Sequence, residues 1–143
     1  MKLSTRGRYG IHAMYDLACH YGDGPQSIKA IAERQQMPEA YLEQIISALK
    51  CAGLVNSIRG AQGGYTLSRR PEEISVGEML RALEGGLNLL DCVDIEDSCS
   101  KAKGCASRVV WVKLRDGFNA VADSITLKDM IQDNNSAQGA EEE

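Results

Sequence analysis

The stretch MPEAYLEQIISALKCAGLVNSIRGAQGGYTLS, residues 37–68, changes its hydrophobic period halfway along. In its first half Leu42, Ile45, Ile46 and Leu49 recur at helical spacing, marking one buried face. Pro38 suits the first turn of that helix, where no backbone N–H is needed, and Gly53 ends it. In the second half two short β-prone runs, Leu54 to Ile58 and Tyr65 to Ser68, flank RGAQGG, whose glycines at 60, 63 and 64 permit the positive φ of a hairpin turn. Upstream, Ser27 is a good N-cap, and Ile28, Ile31 and Ala32 give a short helix to about Gln35. Further upstream, Ile11, Met14, Tyr15 and Ala18 make residues 8–22 an amphipathic helix, closed by Gly22 to Pro25. Two short helices joined by a tight turn read as a helix-turn-helix, and a β-hairpin directly after it reads as a wing. The expected fold is mostly α with a small β-hairpin wing, residues 1–70 forming a winged helix-turn-helix DNA-binding region with Arg59 at the wing tip.

Downstream of Pro71, Ser75 and Glu78 form a capping box that opens a linker helix with Val76, Met79, Leu80 and Leu83, closed by Gly85 and Gly86. A cysteine loop follows at 92–105. From about 106 to 125 a longer helix places Trp111, Leu114, Phe118, Val121 and Ile125 at alternating spacings of three and four, the seam of a dimerisation helix. Thr126 and Asp129 start a last short helix with Leu127, Met130 and Ile131, so that residues 71–132 form the linker, loop and dimerisation region. Residues 133–143, DNNSAQGAEEE, are polar, acidic and aperiodic, and read as a disordered tail.

The chain has 143 residues and a net charge of −4, unevenly placed. Residues 1–70 hold nine Lys/Arg against five Asp/Glu, a net of +4, whereas residues 71–143 hold seven against fifteen, a net of −8. A basic front half can bind a polyanion even in an acidic protein. His12, Asp16 and His20 interrupt the apolar positions near the N-terminus, so no signal peptide is read there, and no run approaches the ~18 apolar residues of a membrane span. The expected setting is the cytoplasm, without membrane association. An enzyme would need a pocket with a paired acid and base or an activated nucleophile. With two histidines, no nucleophile elbow and a glycine-rich stretch that links strands rather than opening a helix, no enzymatic activity is expected.

On the helix from Pro38 to Lys50, the side opposite the apolar stripe presents Glu39, Ala40, Glu43, Gln44 and Ser47, with Tyr41 alongside. Taken alone, such a face is ordinarily just solvated. Between a helix-turn and a wing it becomes a major-groove reader, because Gln pairs bidentately with adenine and Glu accepts from the cytosine amino group. Glu43 is repelled by phosphates unless a cytosine or a cation meets it, which makes it a selector against sites lacking that partner. Arg59, on a loop stripped of side chains by glycine, is suited to a narrow minor groove. Lys2, Arg6 and Arg8 suit phosphate contacts.

Three of the five cysteines, Cys92, Cys99 and Cys105, stand at spacings C-x6-C-x5-C among acidic and small residues that cannot build a core. A disulfide, a metal or a cluster could order such a loop. Zinc knuckles and redox pairs both favour shorter spacings, which are absent here. Three thiolates can also wrap a two-iron or four-iron cluster. Cys19 and Cys51 lie in helical segments near apolar residues and read as packed thiols.

MKLSTRGRYG, YLEQII, SIRGAQGGYTL, SVGEMLRALEG and three cysteines ahead of a Trp-bearing helix, in this order, resemble the IscR-type family of bacterial winged-helix regulators that bind iron-sulfur clusters. The resemblance covers residues 1 to about 132. It implies a homodimer with crossing C-terminal helices on a near-palindromic operator in double-stranded DNA, a repressor that senses a cluster and controls cluster biogenesis genes, with cluster-assembly proteins as partners. It also implies that Cys92, Cys99 and Cys105 ligate the cluster, a two-iron form favoured over a four-iron one. Some relatives place a histidine three residues after the last cysteine, where this chain has Arg108, and others use a carboxylate or histidine on the N-terminal helix of the partner subunit, the matching carboxylate position in this chain being Arg8. His12 then remains as a candidate fourth ligand, beside Asp91, Asp94, Glu96, Asp97 or a small exogenous ligand. Other members sense nitric oxide or redox state, or regulate cysteine metabolism without a cluster by responding to thiols or a partner protein.

Overall fold

In the computed structural model, which describes residues 3–85 and 106–142, the helix α1 (Thr5–Cys19) is the element on which the others are assembled. It packs against α2 (Ile28–Gln35), α3 (Glu39–Cys51), the second strand of a hairpin, α4 (Val76–Glu84) and the last helix. Its buried face is Gly7, Gly10, Ala13, Met14, Leu17 and Ala18, while Ile11 and Tyr15 are only half-buried. The helix begins three residues earlier than its apolar stripe indicates, because Ser4 caps it by accepting from the Gly7 N–H at 3.1 Å.

Ser27 caps α2 through the Ala30 N–H (3.1 Å), and Gln36, in the left-handed region at φ 54°, turns the chain sharply into α3. Pro38 is the N-cap of α3 rather than a member of its first turn. Leu42, Ile45, Ile46 and Leu49 of α3 are buried as their spacing predicts. The strands β1 (Val55–Ile58) and β2 (Gly64–Leu67) pair antiparallel, Val55 opposite Leu67 and Ile58 opposite Gly64. Burial of Val55 and Leu67 anchors the base of this hairpin, and its far end projects outward.

After a short 3-10 turn (Pro71–Glu73), Ser75 and Glu78 exchange hydrogen bonds of 3.2 and 3.0 Å in the expected capping box. The long helix α5 (Ala106–Ser124) lies against α4, joined by an Arg81–Asp123 ion pair at 2.6 Å and by the lack of a side chain at Gly77, where a Cβ would strike Asp123. Hydrogen bonds from Val76 N–H to Ile125 O (2.8 Å) and from Leu127 N–H to Ile74 O (3.1 Å) tie the α5 end to the α4 start. Among the described residues there are six α-helices and one hairpin, and no helix is long and apolar enough to cross a membrane.

The last helix, α6, departs from the sequence reading. It runs from Leu127 to Glu142, through residues read as a disordered tail. Thr126 and Asp129 cap it reciprocally, and a nucleated helix propagates at little cost through a segment without proline. Asn134 also donates to the Tyr15 hydroxyl at 2.8 Å, holding the middle of the helix to α1.

Candidate nucleic-acid interface

The helix α3 is positioned by an ion pair whose carboxylate is buried and whose guanidinium reaches solvent. Asp16, only 2% exposed, sits on the inner side of α1 and accepts from Arg34 Nε and Nη2 at 2.9 and 2.7 Å and from Gln35 Nε2 at 3.0 Å. Arg34 is thereby held above its ordinary pKa by the Asp16 carboxylate. This clamp fixes the end of α2 to α1 and so sets where the Gln36 turn delivers α3.

With the apolar stripe of α3 buried, Ala40, Glu43, Gln44 and Ser47 all face outward on one side, as expected. Tyr41 differs. It is half-buried, its ring meeting Tyr9 edge-on at 5.8 Å between centroids, so it holds α3 against α1 and is not part of the open face. Cys51 and Cys19, read as packed thiols, are both exposed. Cys51 stands two residues beyond the inward Leu49, about 200° round the helix, and Cys19 ends α1 one step past its buried face. The Cys19 thiol, hydrogen-bonded to Tyr15, keeps that phenol above its ordinary pKa.

Arg59 follows the last residue of β1 and is exposed, with no ion pair among the described residues. Gly60 beside it has φ 120°, and a Cβ at Gly63 would collide with the Ile58 carbonyl, so the turn needs glycine at both positions. The outer part of the wing strand β2 is braced by a reciprocal pair, Gln26 N–H to Tyr65 O at 2.9 Å and Tyr65 N–H to Gln26 O at 2.8 Å. Gln26 also accepts from Arg34 at 2.9 Å, so one guanidinium links the Asp16 clamp to the residue that braces β2. Arg6 and Arg8 are exposed on the first turns of α1. The structure thus offers an outward polar face on α3, a wing cation and a basic N-terminal turn on a shared scaffold.

His12 lies four residues after Arg8 on α1 and is exposed rather than packed. Lys2, Cys92, Cys99, Cys105 and the acidic candidates Asp91, Asp94, Glu96 and Asp97 lie outside the described residues. Among the described residues no group of three His, Cys, Asp or Glu side chains is placed to hold a metal ion. Sequence reasoning missed the Asp16 clamp. Its one signal was a carboxylate interrupting an apolar stripe, but partners 18 and 19 residues away leave no local mark.

A helix-turn-helix with an exposed polar face, followed by a glycine-tipped cationic wing, defines a DNA-binding regulator. Residues 3–133 match the Rrf2 family model, described as iron-dependent transcriptional regulator, and the chain belongs to that family. It is 42% identical to the HTH-type transcriptional regulator CymR of Bacillus subtilis, over 98% of this chain and 96% of that protein. It is 37% identical to the HTH-type transcriptional regulator IscR of Aliivibrio salmonicida, over 96% of this chain and 82% of that one. Among solved structures, T. potens IscR superposes with a TM-score of 0.79 at 48% identity, covering 96% of this chain and 91% of that chain. CymR of B. subtilis, titled the global cysteine regulator, gives 0.74 at 44% identity, covering 91% and 95%. These relatives are named as regulators of transcription, not as enzymes.

Proposed function

We propose that this transcriptional regulator is a homodimeric repressor in which Cys92, Cys99 and Cys105 hold an iron-sulfur cluster whose occupancy selects the operator. The observation that carries this reading is the position of the thiols in the chain. They fall between Gly85, which ends α4, and Ala106, which begins α5. Tying them together acts on the helix that packs against α1 and on the helix that offers the apolar seam. Three thiols with an outward-facing His12 imidazole form a donor set suited to iron, with Asp91, Asp94, Glu96, Asp97 or an exogenous group as alternative fourth donors. A bound cluster, two-iron in preference to four-iron, supplies a redox-labile centre. Genes of cluster biogenesis are the proposed targets, and cluster-assembly proteins the proposed donors.

On DNA, Gln44 and Glu43 read base edges in the major groove, Ala40 and Ser47 pack beside them, and Arg59 enters the minor groove. Lys2, Arg6 and Arg8 contact phosphates. Two such heads, joined through α5, meet two half-sites of a near-palindromic operator.

A second reading is favoured by one observation, the 42% identity to CymR over nearly the full length of both chains. In that reading the protein carries no cluster and responds to thiols or to a partner protein. Sensing of nitric oxide or redox state is a variant of the first reading that uses the same thiols. Anaerobic purification with an absorption spectrum and iron and sulfide counts separates the two. A brown protein that loses its colour when any of Cys92, Cys99 or Cys105 becomes Ser, but not in Cys19→Ala or Cys51→Ala, supports the cluster. A colourless protein that binds DNA supports the second reading.

A further inference from the structure

The turn that carries Arg6 and Arg8 is held by the far end of α4 as well as by its own cap. Ser4 Oγ, which accepts from the Gly7 N–H, donates to Glu84 Oε1 at 2.5 Å, and the Ser4 N–H donates to the same oxygen at 3.2 Å. The two helices meet there without intervening side chains on α1. A Cβ at Gly7 would strike the Glu84 carboxylate, and one at Gly10 would strike Leu83. A carboxylate at the first turn of α1 is also favoured by the partial positive charge of the helix N-terminus. Arg6 and Arg8 flank Gly7 and are exposed, with no ion pair among the described residues.

We propose that Glu84 is a positioning residue for DNA binding: by pinning Ser4 it fixes the first turn of α1 and with it the phosphate contacts of Arg6 and Arg8. The inference rests on reading those arginines as phosphate contacts. A helix N-terminus left without partners for its first N–H groups frays, and cations on a frayed turn must be ordered at the moment of binding. Removing the Glu84 acceptor keeps both positive charges but loses their placement.

The test uses the full-length protein and a duplex selected from a random-sequence pool by the wild type, titrated at several salt concentrations. Glu84→Ala and Ser4→Ala are expected to weaken binding by about 5- to 30-fold and to reduce the slope of log affinity against log salt by about 1 to 2. Glu84→Gln keeps a carbonyl acceptor and should recover most of the loss. The double variant Ser4→Ala/Glu84→Ala should lose less than the sum of the two single losses, because both variants remove the shared Ser4 Oγ–Glu84 hydrogen bond. Melting curves identify any variant that loses affinity by unfolding, and Glu84→Gln then serves as the folded comparison. Wild-type affinity and slope in Glu84→Ala overturn the proposal, as do fully additive losses in the double variant. A wild type whose binding is insensitive to salt overturns instead the reading of Arg6 and Arg8 as phosphate contacts.

Discussion

On the proposed contact map, Gln44 and Arg59 would approach DNA from two elements and by different physics. Gln44 stands on the open face of α3, where a bidentate pair with adenine discriminates among bases. Arg59 stands on a turn cleared by glycine, where the negative potential of a narrow minor groove attracts a guanidinium. Gln44→Ala and Arg59→Ala are each expected to weaken operator binding by ~1 to 3 kcal/mol, measured by titration at fixed salt. Gln44→Ala should also relax base preference at its contact position, and unchanged affinity in both variants would remove this contact map. Glu43→Ala should widen the range of operators bound, since the carboxylate penalises sites without a cytosine partner. The outward placement of these side chains could be read from the spacing of Leu42, Ile45, Ile46 and Leu49. The partial burial of Tyr41 could not, because it depends on Tyr9 of a distant helix.

At the scale of elements, most boundaries are set by caps that the sequence displays. Ser27, Ser75 with Glu78, and Thr126 with Asp129 all act where their spacing predicts. Glu78 also carries a pH dependence. Burial pushes its carboxyl up, but the Ser75 N–H and the Arg69 guanidinium outweigh this and leave it below the ordinary carboxylate value of 4.5. Its stabilisation is therefore fully present above that value and is lost as pH falls through the lower folded-state value. Glu78→Ala is expected to cost ~1 kcal/mol at neutral pH, with the gap from wild type closing in acid, as followed by urea denaturation at stepped pH. A gap that stays constant below pH 4.5 would contradict this assignment. The length of α6 was not readable in the same way, since composition argued for disorder while the capping box and the Asn134–Tyr15 bond favour helix.

Across the whole molecule, one core spans the regions that the sequence separates at residue 70. Ile74, Met79, Leu83 and Leu127 join Met14, Ile31, Leu42 and Ile46 in a single buried cluster. What remains outside is the seam of α5. Leu114 is 53% and Val121 61% exposed in the single chain, with Val110 on the same side, whereas Trp111 and Phe118 are partly covered. An apolar stripe left open along one helix is the surface that a second copy would bury. Leu114→Glu with Val121→Glu should convert a dimer into a monomer in sedimentation at micromolar concentration, without unfolding the protomer core, because neither side chain is buried in it. A wild type that sediments as a monomer would remove both the crossing-helix arrangement and the pairing of half-sites.

The sequence alone determined the winged helix, the outward polar face of α3, the exposed arginine of the wing and the run of three thiols. Each of these is written in local spacing, where periodicity, caps and glycines act within a few residues of one another. Only the tertiary structure decided how those parts are held. The Asp16–Arg34 clamp, the Gln26–Tyr65 brace of the wing, the Tyr9–Tyr41 contact and the Ser4–Glu84 latch join residues 18, 39, 32 and 80 positions apart. Such pairings arise when helices pack and bring distant polar groups within hydrogen-bonding reach, and no local pattern encodes which partner each will meet.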